Sequence, residues 1–297
     1  MLIERSNDMA ARSCFAHHGN RRASILVPTL GTCVAVSAIV EDSVMSEQKW
    51  PDMLWIVRHG QSAGNVARDT AEAEGIQTID IAERDADVPL SLLGAPQSDA
   101  LGRWVGSLGA GKQPEIVLHS PYVRARQTAE RVLAAARLDV PWRQDERLRE
   151  KEFGILDGLT VAGIRTKFPD LAEQRQHVGK FYFRPPGGES WCDVILRLRS
   201  LLEMLTREHR GERVLIVGHQ VIVNCMRYLL ERLDEAAILA IDRANDVPNC
   251  AVTSYAFDPA AGRRGKLVLA LENFVSPLEQ EGAPVTDAPD ASVAPKA

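Results

Sequence analysis

Arg58, His59 and Gly60 directly follow the apolar run Leu54-Trp55-Ile56-Val57. A guanidinium offers a planar fork of donors matched to phosphate oxygens. An imidazole offers a nitrogen nucleophile near neutral pH, and a glycine lets the backbone turn sharply beside a ligand. The theme returns at Val214-Leu215-Ile216-Val217-Gly218-His219-Gln220, where a second apolar run ends in a histidine. Two histidines at two strand ends of one sheet can converge on one crevice. In that arrangement neutral His59 attacks a phosphoryl group and protonated His219 holds one of its oxygens. A metal pair is the competing reading. Zinc needs three or four protein ligands, however, and no third His or Cys sits in a comparable context.

Three more segments put polar residues just after a strand or at the start of a helix. Val117-Leu118-His119-Ser120-Pro121 leads into an Arg/Ala-rich stretch, and Ser-Pro is good cap and first-turn chemistry for a helix. A helix N-terminus favours phosphate through its N–H groups and dipole, and Arg124 adds a charged fork there. Helical geometry sends Arg124 and Arg126 in different directions, so one of them is expected to reach the site. Arg147–Gly158 is a charged loop punctuated by glycine. A carboxylate entering a phosphate site can act as general acid toward a leaving alkoxide. Glu150 and Glu152 both qualify by chemistry. Finally, Pro185-Pro186-Gly187-Gly188-Glu189-Ser190-Trp191 leads into a long amphipathic stretch. Ser190 is a candidate N-cap, and Glu189 either approaches the site or serves that cap.

The elements that must position these residues alternate. Strands are predicted at Met53–Val57, Glu115–His119, Arg213–Val217, Cys250–Phe257 and Leu267–Leu271. Helices are predicted at Leu92–Leu108, Tyr122–Ala136, Ser190–His209 and Val221–Leu233. The last two strands are expected to pair antiparallel through the turn at Asp258–Gly265. Asp69–Asp87 is acidic and aperiodic, an exposed loop or short helix that forms part of a lid in one reading. Such alternation argues a three-layer α/β domain with a mostly parallel sheet. Of the 297 residues, 45% are hydrophobic and 25% charged, as in ordinary globular proteins, and the net charge of -5 leaves no basic footprint for nucleic acid. The five cysteines, Cys14, Cys33, Cys192, Cys225 and Cys250, follow no metal-ligand spacing and fit free thiols in a reducing compartment.

Taken in order, five motifs resemble the histidine phosphatase superfamily, which includes the cofactor-dependent phosphoglycerate mutases. They are Arg58-His59-Gly60 with Asn65, Ser120-Pro121-x-x-Arg124-Ala125-x-Gln127-Thr128-Ala129, Leu148-x-Glu150-x-x-Phe153-Gly154-x-x-Asp157-Gly158, Gly188-Glu189-Ser190, and Gly218-His219. The match spans most of residues 53–275. The resemblance implies a three-layer α/β/α sandwich with a mostly parallel mixed sheet. It implies a phosphatase that uses neither metal nor cofactor and acts on a small phosphate ester through a phosphohistidine. His59 would be the nucleophile, and Arg58, Arg124 and His219 the clamp on the phosphoryl oxygens. Asn65 would be a further donor, with Gly60 and Glu189 beside the substrate. Glu150, rather than Glu152, falls on the family's proton-donor position. Members that place their acid directly after the second histidine carry Asp or Ala-Glu there, whereas this chain has Gln220.

Within the superfamily, the mutases carry a Trp-Asn segment after the Arg-His-Gly and a paired arginine in the middle insertion. Gln61–Arg68 and Phe168–Arg184 show neither. The chain is more similar to the fructose-2,6-bisphosphatase branch. That likeness rests on His219-Gln220-x-x-x-x-Cys225, Phe181-x-Phe183-Arg184-x-Pro186-x-Gly188-Glu189-Ser190 and Pro248-Asn249-x-x-Val252-Thr253-x-Tyr255. Lys180 and Gln220 fall where that branch contacts its sugar phosphate. Yet Asn224 and Gln176 stand where it has arginines, and Trp191 where it has tyrosine. Charge-assisted bonds contribute about 1.5–3 kcal/mol each, so these losses point to a different monophosphate. A mutase-type transfer and a non-catalytic phospho-ligand binder are the alternatives. The latter predicts loss of the nucleophile or the acid, and both are present.

The expected organisation is an extension over residues 1–44, a catalytic domain over 45–275 and a disordered tail over 276–297. The extension carries Arg21-Arg22 before the weakly apolar Ala23–Val40, a candidate targeting segment. Alternatively Met45 is the natural start, which would make the enzyme cytoplasmic. No membrane partner is expected for the catalytic domain.

Overall fold

The computed structural model of the protein describes residues 48–287. The expected extension over residues 1–44 lies outside them, as does the end of the expected tail, 288–297. Strand β1 (Met53–Arg58) is followed by helices α1 (Ala63–Ala73) and α2 (Gly94–Ser107), then β2 (Ile116–His119), α3 (Val123–Ala136) and the short β3 (Trp142–Gln144). An excursion carries α4 (Val161–Lys167) and α5 (Pro169–Val178) before the long α6 (Trp191–Glu208). The chain then runs through β4 (Arg213–Gly218), α7 (Gln220–Glu231), α8 (Glu235–Ala244), β5 (Val252–Asp258), β6 (Lys266–Phe274) and α9 (Ser276–Gln280).

The six strands form one sheet in the order β3-β2-β4-β1-β5-β6. β3, β2, β4 and β1 are mutually parallel, while β5 and β6 close the sheet antiparallel, as the turn at Asp258–Gly265 implied. The pleat explains the three layers, because successive side chains leave opposite faces. From β1, Leu54 and Ile56 join Leu198, Leu201, Ile222 and Met226 of α6 and α7. Trp55 and Val57 join Leu101, Val105, Ala129 and Val132 of α2 and α3 on the other face. A satellite core of Leu156, Leu159, Ile164 and Phe183 holds the excursion between β3 and α6.

Asp69–Asp87 is mostly exposed, as expected: Asp69–Ala73 ends α1, and the rest is a loop held by a bridge between Thr78 and Leu159 and a single turn at Asp85–Asp87. One expectation needs correction. The tail expected to be disordered from residue 276 instead begins as α9, with Leu278 fully buried against the α2–α3 face. Further along, Thr286 exchanges hydrogen bonds with Asn249, at 2.7 Å through its carbonyl and 2.9 Å through its hydroxyl. A few apolar and hydroxyl side chains in a Pro- and Ala-rich stretch suffice to dock it. Among the described residues no helix is long and apolar enough to cross a membrane.

Candidate active site

Register puts the two histidines side by side. Arg58 lies opposite Gly218 at the carboxyl ends of β1 and β4, and the His59 amide donates to the Gly218 carbonyl at 2.9 Å. The next strand over, β2, ends at the same level, where the Ser120 amide donates to Val217 at 2.9 Å. The ring centroids of His59 and His219 are 5.1 Å apart, edge to face, and neither ring is exposed. This is the strand-end crevice in which open α/β sheets place their ligands.

Hydrogen bonding fixes the state of His59. Its Nδ1 lies 2.6 Å from the Gly60 carbonyl, which can only accept, so Nδ1 carries the proton. Its Nε2 lies 3.2 Å from Nε of Arg124, which can only donate. The Nε2 lone pair therefore faces the guanidinium, as a nucleophile aimed at a clamped phosphoryl group requires. The backbone behind the ring is held by Asn249, whose amide donates to the His59 carbonyl at 3.0 Å. The Cys250 amide donates to the Arg58 carbonyl at 3.0 Å from a residue with φ of 57°. Pro248-Asn249 entered the sequence reading only as a mark of likeness. Its bonding to the His59 backbone is a long-range contact that no local pattern signals.

Arg58 and Arg124 are both almost fully buried. Arg58 Nη1 donates to the Val247 carbonyl at 2.6 Å. Arg124, in the first turn of α3, sits 4.9 Å over the ring of Tyr122, which itself stands edge-on to His219. Arg126 points away to the exposed Glu130, so one arginine of the pair reaches the site, as helical geometry requires. Asp85 is a residue the sequence reading did not single out. Its carbonyl accepts from Arg124 Nη1 at 2.5 Å, and its carboxylate lies 2.9 Å from the same nitrogen. His219 Nε2 lies 2.8 Å from the Ser120 hydroxyl. A third histidine, His119, does end a strand, contrary to the sequence reading. Its ring stacks on Trp142 of β3, its Nδ1 lies 2.8 Å from the Ser120 carbonyl, and burial pushes its pKa down. Among the described residues no group of three or more His, Cys, Asp or Glu is arranged to hold a metal ion.

Glu150 is buried, and its Oε1 accepts from the Lys151 amide at 2.7 Å. Glu152 is exposed and accepts from the Tyr122 hydroxyl at 2.9 Å, and burial with the nearby Asp85 and Glu152 charges pushes that phenol's pKa up. Asn65 completes a capping box on α1. Its Oδ1 accepts from the Ser62 amide at 2.9 Å, which fixes the direction of the amide group.

Four residues expected at the substrate are held by contacts within the protein. Gly60 is required by packing. A Cβ there would lie 2.5 Å from the Gly94 carbonyl oxygen, and its own carbonyl orients His59. The Glu189 carboxylate is taken by Arg149 at 2.7 Å and Arg197 at 3.0 Å, and it also accepts from the Glu152 amide at 3.1 Å. Arg197 in turn donates to the carbonyls of Arg147 and Glu150, so Glu189 braces the loop that carries Glu150. Ser190 is the N-cap of α6, boxed with Asp193. Lys180 pairs with Asp242 at 2.5 Å, and Gln220 donates to Asp246 at 2.6 Å. The described cysteines, Cys192, Cys225 and Cys250, are free thiols, and burial pushes Cys250 up to about 12.

Residues 54–267 match the family model of the histidine phosphatase superfamily (branch 1). The chain belongs to that superfamily. A 2,3-bisphosphoglycerate-dependent phosphoglycerate mutase of Rhizobium etli is 30% identical over 200 residues, covering 66% of this chain and 87% of that protein. A probable fructose-2,6-bisphosphatase of Schizosaccharomyces pombe is 34% identical over 173 residues, covering 58% of this chain and 36% of the other. Among solved structures, Bacillus stearothermophilus YhfR superposes with a TM-score of 0.60 at 27% identity, covering 76% of this chain and 98% of that one. A mycobacterial glucosyl-3-phosphoglycerate phosphatase in complex with inorganic phosphate gives 0.57 at 26% identity, covering 76% and 99%. The enzyme is thus a histidine phosphatase with the superfamily's mixed α/β fold.

Proposed function

We propose that this histidine phosphatase hydrolyses a small phosphorylated metabolite through a phosphohistidine on His59, with no metal ion. The reading is carried by the His59 tautomer, with Nδ1–H bonded to a carbonyl and Nε2 turned toward a buried arginine. In the first step Nε2 attacks phosphorus as the ester P–O bond breaks, and Glu150, as a carboxylic acid, protonates the leaving alkoxide. The Gly60 carbonyl faces the positive charge that develops on the ring. Arg58, Arg124, His219 and Asn65 hold the phosphoryl oxygens. Donors fixed before the reaction stabilise the spreading charge, at about 3–4 kcal/mol for each one. In the second step the Glu150 carboxylate takes a proton from water, whose oxygen attacks phosphorus. The P–N bond then breaks, releasing inorganic phosphate and restoring neutral His59.

Mutase-type transfer is the second reading, favoured by the likeness to mutases at 30% identity. Against it stands the absence of a paired arginine in Phe168–Arg184. The deciding experiment is phosphate release from a panel of phosphomonoesters in excess chelator, run on the parent chain and on His59→Ala. Turnover by the parent alone supports the proposal, and its preferred ester narrows the substrate. Equal activity in both chains removes His59 as nucleophile. No release on any ester, with phosphoryl exchange between phosphoglycerates, supports the mutase.

A further inference from the structure

Two successive peptide groups carry the chain through Gly60, and each is held at both of its ends. In the first, the His59 carbonyl accepts from Nδ2 of Asn249 at 3.0 Å, and the Gly60 amide donates to the Thr128 hydroxyl at 3.0 Å. In the second, the Gln61 amide donates to Oε1 of Gln97 at 2.8 Å, and the Gly60 carbonyl faces Nδ1 of His59 at 2.6 Å. A peptide group is planar, so the bond at its N–H also fixes the direction of its carbonyl. Gln97 therefore aims the very carbonyl that keeps the His59 proton on Nδ1.

Asn249 and Gln97 come from distant segments, and both are fully buried. They meet at Thr286, in the stretch expected to be disordered. The Thr286 hydroxyl lies 2.9 Å from Oδ1 of Asn249 and 2.9 Å from Nε2 of Gln97. A hydroxyl has one proton to give and lone pairs to accept with, and each amide here takes the kind it needs. The proton goes to Asn249 Oδ1, which leaves Nδ2 for the His59 carbonyl. A lone pair receives Gln97 Nε2, which leaves Oε1 for the Gln61 amide. Backbone of the same segment adds two bonds: the Pro284 carbonyl accepts from Gln97 Nε2 at 2.8 Å, and the Thr286 carbonyl accepts from the Asn249 backbone amide at 2.7 Å. In a buried network an amide turned end for end presents the wrong group to every neighbour.

We propose that Thr286 is a positioning residue for phosphoryl transfer. Its hydroxyl orients Asn249 and Gln97, which hold the two peptide groups around Gly60 and so keep His59 as the Nδ1–H tautomer with Nε2 turned to phosphorus. This rests on the reading of His59 as the attacking group, and extends it to the far end of the chain. Thr286 acts through other residues and not on the substrate, so its effect belongs in kcat rather than KM.

The test compares the full chain with Thr286→Val, which keeps the shape of the side chain and removes the hydroxyl, and with Thr286→Ser, which restores it. Hydrolysis of para-nitrophenyl phosphate gives kcat and KM. Heteronuclear NMR of the substrate-free, histidine-labelled chain reads which ring nitrogen of His59 carries the proton, the signal being assigned by its loss in His59→Ala. Thr286→Val is expected to lower kcat by about three- to tenfold with KM unchanged. It is also expected to add the Nε2–H tautomer to a ring that is Nδ1–H in the parent. Thr286→Ser is expected to return both readouts to the parent's, and Thr286→Ala replaces the valine variant should that one not fold. Parent-like turnover in Thr286→Val, lost turnover with the ring unchanged, a serine chain as impaired as the valine one, or a parent ring that is not Nδ1–H overturns the proposal. The ring is read without turnover, so an inactive parent removes the phosphatase reading and still leaves the NMR signal to decide whether the Thr286 hydroxyl holds the tautomer. A His59→Ala chain as active as the parent removes His59 as nucleophile, and the positioning role with it.

Discussion

The carboxylate of Asp85 lies on the guanidinium that the proposed mechanism assigns to a phosphoryl group. An incoming phosphate must compete with that carboxylate for Arg124. Asp85→Asn keeps the backbone carbonyl contact and removes the charge. Competitive inhibition by inorganic phosphate is therefore expected to tighten by about three- to tenfold, and an unchanged inhibition constant would show that Asp85 does not compete. Lys151 gives a second expectation, this one in pH. Burial holds its folded pKa near 8, below the ordinary lysine value of 10.5. Between those values the unfolded chain binds more protons than the folded one, so stability rises with pH. Denaturant unfolding from pH 7.5 to 10 is expected to show that rise in the parent and lose it in Lys151→Met. The charges acting on the group are Glu150, Glu189, Arg175 and Lys180. Neither Asp85 nor Lys151 could be singled out from sequence, since both owe their position to contacts with distant segments. Arg58, His59, Arg124 and His219 were legible because each sits at a strand end or in the first turn of a helix.

Caps and close approaches do the positioning at the scale of single elements. Ser62 with Asn65 and Ser190 with Asp193 start α1 and α6 with the same reciprocal box. Gly60 lets the chain between β1 and α1 press against the start of α2. An added Cβ would meet backbone, which cannot move aside. Gly60→Ala is therefore expected to cost about 1–3 kcal/mol and to lower turnover by tilting His59. Thermal melts paired with kinetics check both parts, and a variant that keeps the parent's melting point would refute the packing argument. The strands and helices were readable because buried parallel strands are unbroken apolar runs and the covering helices are amphipathic. Glu189 shows the limit of such reading. Its neighbours Gly188 and Ser190 look like a substrate loop, but Arg149, far off in sequence, and Arg197, two turns into α6, claim its carboxylate.

Across the whole molecule, the last described residues act on the first motif. Thr286 bonds to Asn249, and Asn249 bonds to the His59 carbonyl. A chain cut after Val275 loses the burial of Leu278, about 1.5–3 kcal/mol, together with that bridge. Its melting point is expected to drop by roughly several degrees and its turnover to fall, and unchanged melting and kinetics would show that the segment is dispensable. Composition pointed the other way, because a Pro- and Ala-rich stretch with one buried leucine does not look different from a linker. The sheet order has a consequence in time. β1 is made early, but its neighbours on both sides, β4 and β5, are among the last strands to be synthesised. While the chain grows, His59 has neither a flanking strand nor the second histidine beside it. On the proposed mechanism a half-made chain cleaves no phosphate ester, and hydrolysis waits until the far end of the domain folds back beside its beginning.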